Sequence, residues 1–285
     1  MKKYIISDIH GDEKAYYTIM KYLEGERKQE EVGLYINGDL IDRGSSSAEI
    51  LLDVYERQKK SLIPIEYLAG NHELMMMETF DERKKEMYSS AHKIWFRNGG
   101  AVTDKGLTER LKTKDEILEV VDYISNLRIY HKFPETLNGK NIVLVHAACP
   151  VKVEDQNRVR LKDNTDSIYF SLWASENNPE IPFRINLGNK DYFTIVGHTP
   201  NDDQNGYEYH REGDYLNIDG GCSYYVCGNK EVDHIPLVEV KDKHLRIITF
   251  NHQGEIIRGN YFDGKRNYPF PEEELEKEKI KVKER

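Results

Sequence analysis

Residues 4–12 read Tyr4-Ile5-Ile6-Ser7-Asp8-Ile9-His10-Gly11-Asp12: an apolar triplet followed at once by a carboxylate, an imidazole and a glycine. A short apolar run of this kind reads as a buried strand, and the glycine lets the backbone turn sharply where the strand stops. The arrangement returns twice within the first seventy residues. Leu34-Tyr35-Ile36 leads into Asn37-Gly38-Asp39-Leu40-Ile41-Asp42-Arg43-Gly44, and a strand from Ile63 to Leu68, broken at its start by Pro64, leads into Gly70-Asn71-His72-Glu73. Helical patterns, roughly Glu13 to Leu23 and Ala48 to Gln58, lie between them. A strand–helix–strand–helix–strand order implies parallel strands with helices on the sheet faces.

Downstream, Leu74 to Asn126 is rich in Met, Glu and Lys and poor in β-branched runs, so it reads as mostly helices interrupted at Asn98-Gly99-Gly100. Strands return at Ile142 to Val145, Phe193 to Val196, Tyr215 to Ile218, Pro236 to Val240 and Leu245 to Phe250. The last of these are joined by short turns, which suggests an antiparallel set. Pro271 to Arg285 alternates Glu and Lys with almost nothing to bury, and is expected to be a frayed surface helix or a disordered tail.

Bulk properties exclude several classes. The chain has 285 residues, 38% of them hydrophobic, which is ordinary for a globular protein. Its formal charge of −9 argues against general nucleic-acid binding through a basic surface. No apolar run is long enough to span a bilayer. The start, Met1-Lys2-Lys3 followed by only three apolar residues before a charge, does not read as a signal peptide, so the expected location is cytoplasmic. Cys149, Cys222 and Cys227 are odd in number and lack CxxC spacing; small buried hydrophobes is the better reading for all three.

The informative regularity lies at the strand ends. The strand at Ile142 to Val145 runs into His146, and that at Phe193 to Val196 into Gly197-His198-Thr199-Pro200. Five strands thus each deliver Asp, Asn or His at the carboxyl end, the edge where ligands bind in open α/β sheets. Such donors suit Mn2+, Fe or Zn2+ better than soft thiophilic metals. Singly each piece is weak; five in order, each after an apolar strand, are not coincidental. Asp12 reads as a helix N-cap, Glu73 as a first-turn helix acid, and Asp219 as a turn or supporting residue. His92, His131, His210, His234, His244 and His252 lie outside any motif and read as surface or structural histidines. Met75-Met76-Met77 reads as helix packing.

Together DxHG (Asp8–Gly11), GDxxDRG (Gly38–Gly44), GNHE (Gly70–Glu73), the histidine after a later strand and GHT resemble the calcineurin-like metallophosphoesterases. The DRG and GNHE forms resemble their phosphoprotein phosphatase branch. Trp95-Phe96-Arg97-Asn98-Gly99-Gly100 is similar to a segment of bacterial and phage members and of symmetrical dinucleoside tetraphosphatases. The resemblance covers roughly Lys3 to Phe250. It implies an α/β fold in which two mixed β-sheets form a central sandwich flanked by helices, with a catalytic domain over residues 1–265 and a charged tail over 266–285.

The resemblance also implies a site. Asp8 and His10 would bind one divalent ion, Asp39 would bridge, and Asn71, His146 and His198 would complete the second. A shared carboxylate holds two such ions (Mn2+ foremost, Fe or Zn2+ otherwise) roughly 3.5–4 Å apart, so that a water between them becomes hydroxide near neutral pH and attacks phosphorus in line. His72 would protonate the leaving oxygen, Asp42 would orient it, and Arg43, with Asn71, would grip the phosphate oxygens. Pro200 stands where other branches carry a second histidine, leaving the first ion with fewer protein ligands. A second phosphate-gripping arginine is expected soon after Trp173 but none follows closely; Arg184 is the candidate, with Arg158 and Arg160 as alternatives. The implied activity is metal-dependent phosphoester hydrolysis, foremost of the serine/threonine protein phosphatase type, on a phosphorylated protein or small phosphoester. Dinucleoside tetraphosphate hydrolysis is the alternative, and a non-catalytic metal-binding scaffold a more distant one.

Overall fold

The computed structural model describes residues 1–60, 63–84, 90–149, 159–163, 166–175, 191–201, 205–210 and 214–283. The first half runs β1 (Lys2–Ile6), α1 (Glu13–Arg27), β2 (Val32–Asn37), α2 (Ser47–Lys60), β3 (Ile65–Leu68), α3 (Asn71–Lys84), α4 (Ser90–Arg97), α5 (Ala101–Arg110) and α6 (Lys114–Ser125). The second half follows with β4 (Tyr130–Leu137), β5 (Lys140–Val145), α7 (Asp166–Trp173), β6 (Tyr192–Val196), β7 (Glu208–His210), β8 (Tyr215–Asn217) and α8 (Cys222–Val226). The chain then closes through β9 (Ile235–Lys241), β10 (His244–Phe250), β11 (Ile256–Phe262), β12 (Asn267–Pro269) and α9 (Glu272–Lys283).

Two mixed sheets result, in the orders β12-β11-β10-β9-β1-β2-β3 and β4-β5-β6-β8-β7. In the first, β1, β2 and β3 are parallel, whereas β9 to β12 meander antiparallel on the other side of β1. In the second, β5, β6 and β8 are parallel. Side chains alternate across a strand with a period of two, and here both faces are covered. Ile5, Leu245 and Ile247 meet Ile142, Leu144, Phe193 and Ile195 between the sheets. Their neighbours Tyr4, Ile6, Ile248, Phe250, Val143 and Val145 pack outward against helices. Strands buried on both faces carry continuous apolar runs, which is why the triplet Tyr4-Ile5-Ile6 was legible.

The helices cover the outer faces by amphipathic burial. In α1 the buried positions Ala15, Tyr16, Ile19, Met20, Tyr22 and Leu23 recur at helical spacing, and Asp12 caps the helix by accepting from Ala15 N–H at 3.0 Å. The segment expected to be helical gives α3 to α6, parted at Asn98 to Gly100, and Met75, Met76 and Met77 are buried in packing.

The last stretch departs from expectation. Residues 267–269 pair with β11, and 272–283 form a helix that is docked rather than frayed. Its charges are used internally. Glu278 is buried and accepts from Tyr22 OH at 2.8 Å and Arg246 Nη2 at 3.1 Å, while Lys281 reaches Glu26 at 3.1 Å. A sequence of alternating charge looks solvated because its partners lie far away along the chain.

Candidate active site

Each parallel strand ends by handing a side chain to the same edge. Backbone bonds align the turns: His10 N–H donates to Asp39 O at 2.9 Å, Gly11 N–H to Leu40 O at 2.9 Å, and Gly197 N–H to His146 O at 2.8 Å. The two sheets are stitched together there, since His146 Nδ1 contacts Asn37 O at 2.8 Å and Asn37 Nδ2 donates to Val145 O at 3.2 Å. The geometry demands unusual backbone. Among the described residues nine non-glycines have positive φ, and six of them are Asp8 (55°), His10 (48°), Asp39 (49°), Asp42 (73°), Arg43 (69°) and His198 (72°). Conformations of this kind persist where surrounding structure over-determines them, and they cluster at functional sites.

The structure brings the expected donors together. Asp39 divides its oxygens: Oδ2 lies 3.5 Å from His10 Nε2 and 3.8 Å from His72 Nε2, and Oδ1 lies 3.3 Å from His146 Nε2. Asn71 Oδ1 faces His146 Nε2 at 3.0 Å and His198 Nδ1 at 2.9 Å. Two groups of converging donors result, His10–Asp39–His72 and Asp39–His146–His198, each within a span of 4.8 Å and sharing Asp39. Nitrogen and carboxylate donors aimed at common points fit divalent ions of the borderline kind. Asp8 is fully buried at the same edge, but its carboxylate is engaged by Ser7 Oγ and by His198 N–H at 3.0 Å, and it belongs to neither group.

Electrostatics follow from burial. Desolvation would lift Asp39, yet the charges of His146 and His72 hold it well below the ordinary carboxylate range. Asp8 moves the other way, raised by burial and by Asp219. Burial opposes protonation of His146, but Asp39 outweighs it and raises the ring to about 10. His198 drops to about 3, through burial and the neighbouring His146 charge.

His72 occupies a distinct position. Its Nδ1 lies 2.7 Å from Asp42 Oδ2, and its Nε2 lies 3.3 Å from Arg43 Nη2. Asp42 is itself fixed by donors the sequence did not reveal: Trp95 Nε1 at 2.7 Å and Thr103 Oγ1 at 2.5 Å. Gly99 O accepts from Arg43 N–H at 3.2 Å, so the Trp95–Gly100 segment braces the Asp42-Arg43 pair. Glu73 lies in the first turn of α3, as read, but it also clamps two strand ends by accepting from the N–H groups of Asp39 at 2.9 Å and Gly70 at 2.7 Å. Asp219 is buried and raised to about 7, by desolvation above all. Arg184 and Arg158 lie outside the described residues. Arg160 forms an isolated bridge with Arg128, and its charge acts on Glu66. One reading needs correction, since Cys227 is exposed rather than buried; of the histidines read as surface or structural, His252 is of the second kind, buried beside Asp12 and Asp233.

A two-sheet α/β sandwich that gathers Asp, Asn and His at the carboxyl ends of its parallel strands is the architecture of a metallohydrolase. More narrowly, residues 1–235 match the family model described as Calcineurin-like phosphoesterase, and the chain belongs to that family. It is 34% identical to the symmetrical bis(5'-nucleosyl)-tetraphosphatase of Buchnera aphidicola subsp. Schizaphis graminum (strain Sg) over 91 residues, 31% of each chain. It is also 34% identical to the serine/threonine-protein phosphatase 2B catalytic subunit A1 of Saccharomyces cerevisiae, over 83 residues, 29% of this chain and 14% of that one. The chain therefore spans less than a third of the length of these curated relatives. Among solved structures, a Saccharomyces cerevisiae protein serine/threonine phosphatase with similarity to human phosphatase PP5 superposes with a TM-score of 0.57 at 15% identity, covering 88% of this chain and 80% of that one. That likeness concerns the fold. No helix among the described residues is long and apolar enough to cross a membrane.

Proposed function

We propose that the chain hydrolyses phosphomonoesters of the phosphoserine and phosphothreonine type. The observation that carries phosphoester hydrolysis is the His72–Asp42 pair, 2.7 Å apart and flanked by Arg43, set against the double donor cluster, and the DRG and GNHE motifs support the phosphoserine and phosphothreonine preference. Asp8, His10 and Asp39 would hold one divalent ion, and Asp39, Asn71, His146 and His198 the other, with Mn2+ the expected pair. Such ions supply Lewis acidity and lower the pKa of a coordinated water. The protein's own groups do the rest. Asp42 accepts the Nδ1 proton of His72, which leaves Nε2 as the atom that hands a proton to the departing alkoxide. His72 also lies within reach of His10 and Asp39. Arg43 lies 3.3 Å from its Nε2, however, a place suited to a phosphate oxygen between guanidinium and imidazole rather than to another cation.

A second reading, hydrolysis of dinucleoside tetraphosphates, is favoured by the likeness to the Buchnera protein. The same site chemistry serves both, because surrounding loops choose what is attached to the phosphoryl group. Rates with Mn2+ on a phosphoserine peptide and on diadenosine tetraphosphate, measured side by side, decide between them. The proposal expects the higher kcat/KM on the phosphopeptide, and a preference for the dinucleotide by orders of magnitude overturns it. Absence of turnover on either, with any of Mn2+, Ni2+, Co2+ or Zn2+, indicates a binding scaffold.

A further inference from the structure

A second set of ligand-type side chains lies outside the site just described. Asp12, the N-cap of α1, Cys222, the first residue of α8, and His252, in the turn after β10, come from three separate parts of the chain. Each is buried, and one donor atom from each lies within 4.8 Å of the other two. From these residues we infer a further metal site, in which Asp12 Oδ2, Cys222 Sγ and His252 Nε2 take a borderline-soft divalent ion of the Zn2+ type.

Four observations support it. Asp12 Oδ2 and His252 Nε2 approach to 2.8 Å, yet neither has a hydrogen bond of acceptable geometry among the described residues. A misaligned pair of this kind leaves part of its buried bonding capacity unmet, where a fully unsatisfied buried atom costs about 1–3 kcal/mol, and a cation shared by the two would meet it. The other atoms of these side chains are already engaged, which fixes the direction of the free ones. Asp12 Oδ1 accepts from Ala15 N–H at 3.0 Å, and His252 Nδ1 lies 2.6 Å from Asp233 Oδ1. A carboxylate on the far nitrogen is the usual support of a metal-binding imidazole, because it sets the tautomer that frees Nε2. The ring is held besides by Tyr225, stacked at 3.4 Å with an interplanar angle of 2°.

Charge and donor softness indicate which ion. A carboxylate, a thiolate and a neutral imidazole carry two negative charges, which one divalent cation neutralises inside a buried pocket. Cysteine sulfur selects Zn2+ over Mn2+ or Mg2+, which favour oxygen. Three protein ligands leave a fourth tetrahedral position for water. Bound there, the ion would cross-link α1, α8 and the β10–β11 turn.

Sulfur makes the test specific, since the residues assigned to phosphoester chemistry offer only nitrogen and oxygen. The whole chain is produced in Co2+-supplemented medium, and its near-ultraviolet spectrum is searched for thiolate-to-cobalt charge transfer. The band is expected in the wild type and in Cys227→Ser, is lost in Cys222→Ser and His252→Gln, and is displaced by Zn2+. Its absence from the wild type overturns the inference, as does its survival in Cys222→Ser. The wild-type spectrum decides even if a variant fails to fold. As a second measure, the wild type loaded with Zn2+ and desalted should retain one more equivalent than Cys222→Ser, and equal retention again overturns the site.

Discussion

Replacing Asp42 by Asn tests whether His72 acts on the leaving group. Asp42 has no accessible surface, and its oxygens are divided: Oδ2 serves His72 and Trp95, Oδ1 serves Thr103. An asparagine can keep its carbonyl toward the first two and its amide toward the Thr103 hydroxyl, which can turn and accept. Orientation therefore survives while the charge is lost. A hydrogen bond to a charged group is worth about 1.5–3 kcal/mol against about 1 for a neutral one, so the imidazolium loses about 0.5–2 kcal/mol of support. The upper figure corresponds to about a 30-fold fall in kcat/KM. That loss should appear only where the departing group needs a proton. With a phosphoserine peptide or phenyl phosphate the variant should fall by about 2- to 30-fold. With p-nitrophenyl phosphate, whose phenolate leaves unprotonated, it should stay close to wild type. Steady-state kinetics on both substrates, with metal content measured on the same samples, give the result. An equal loss on the two refutes the acid role and would place Asp42 in support of the metal cluster.

Other consequences are as direct. Arg43→Lys keeps the charge but loses the planar fork, and kcat should drop on the order of 10²-fold; unchanged kinetics would remove Arg43 from phosphate binding. Gly70→Ala would place a Cβ 2.2 Å from Asp39 Oδ1 and 2.6 Å from Asp39 N. The displaced carboxylate should release Mn2+ on desalting, and stability should fall by about 1–3 kcal/mol in urea titrations. Burial would raise Glu26, but Lys2 and Lys281 outweigh it and hold the carboxyl at about 2, below the ordinary 4.5. A depressed carboxylate stabilises above its unfolded pKa and loses that contribution as pH falls through the folded one, here between 4.5 and about 2. Urea titrations at a series of pH values should show up to about 3 kcal/mol lost across that window, and Glu26→Gln should flatten the slope.

The parallel half of the fold and the ligand edge were legible because chemistry and structure coincide there. Each donor follows a strand buried on both faces, whose apolar run marks its own end. Elsewhere the determinants are tertiary. β4 was not anticipated because Pro134 interrupts it, and the proline is tolerated because β4 is the edge strand of its sheet. β11 carries Gly259 and Asn260, residues poor in strand preference. The closing helix looked solvated because Glu274 and Glu278 find Arg246 only after folding. Within the site, the donors came from motifs, but the residues that hold them did not. Trp95 is 53 positions from the Asp42 it supports, and nothing local distinguishes Glu73 from an ordinary helix-start acid. The Asp12–Cys222–His252 group has no motif at all.

The positive-φ residues at the strand ends carry a consequence for engineering. Each left-handed non-glycine residue costs on the order of 1 kcal/mol relative to glycine, and six of the nine among the described residues gather at this one edge. At Asp8, Asp39 and Asp42 glycine would ease the turn but strip a buried acceptor from His198 N–H, from His72 N–H and from the Trp95 and Thr103 donors, at about 1–3 kcal/mol for each donor left unsatisfied, so the relief there is outweighed. The other three such residues, Asn138, Asp214 and Lys243, lie away from the chemistry. Lys243, in the β9–β10 hairpin, offers the same relief with no ligand to lose, so thermostability can be sought there without spending activity.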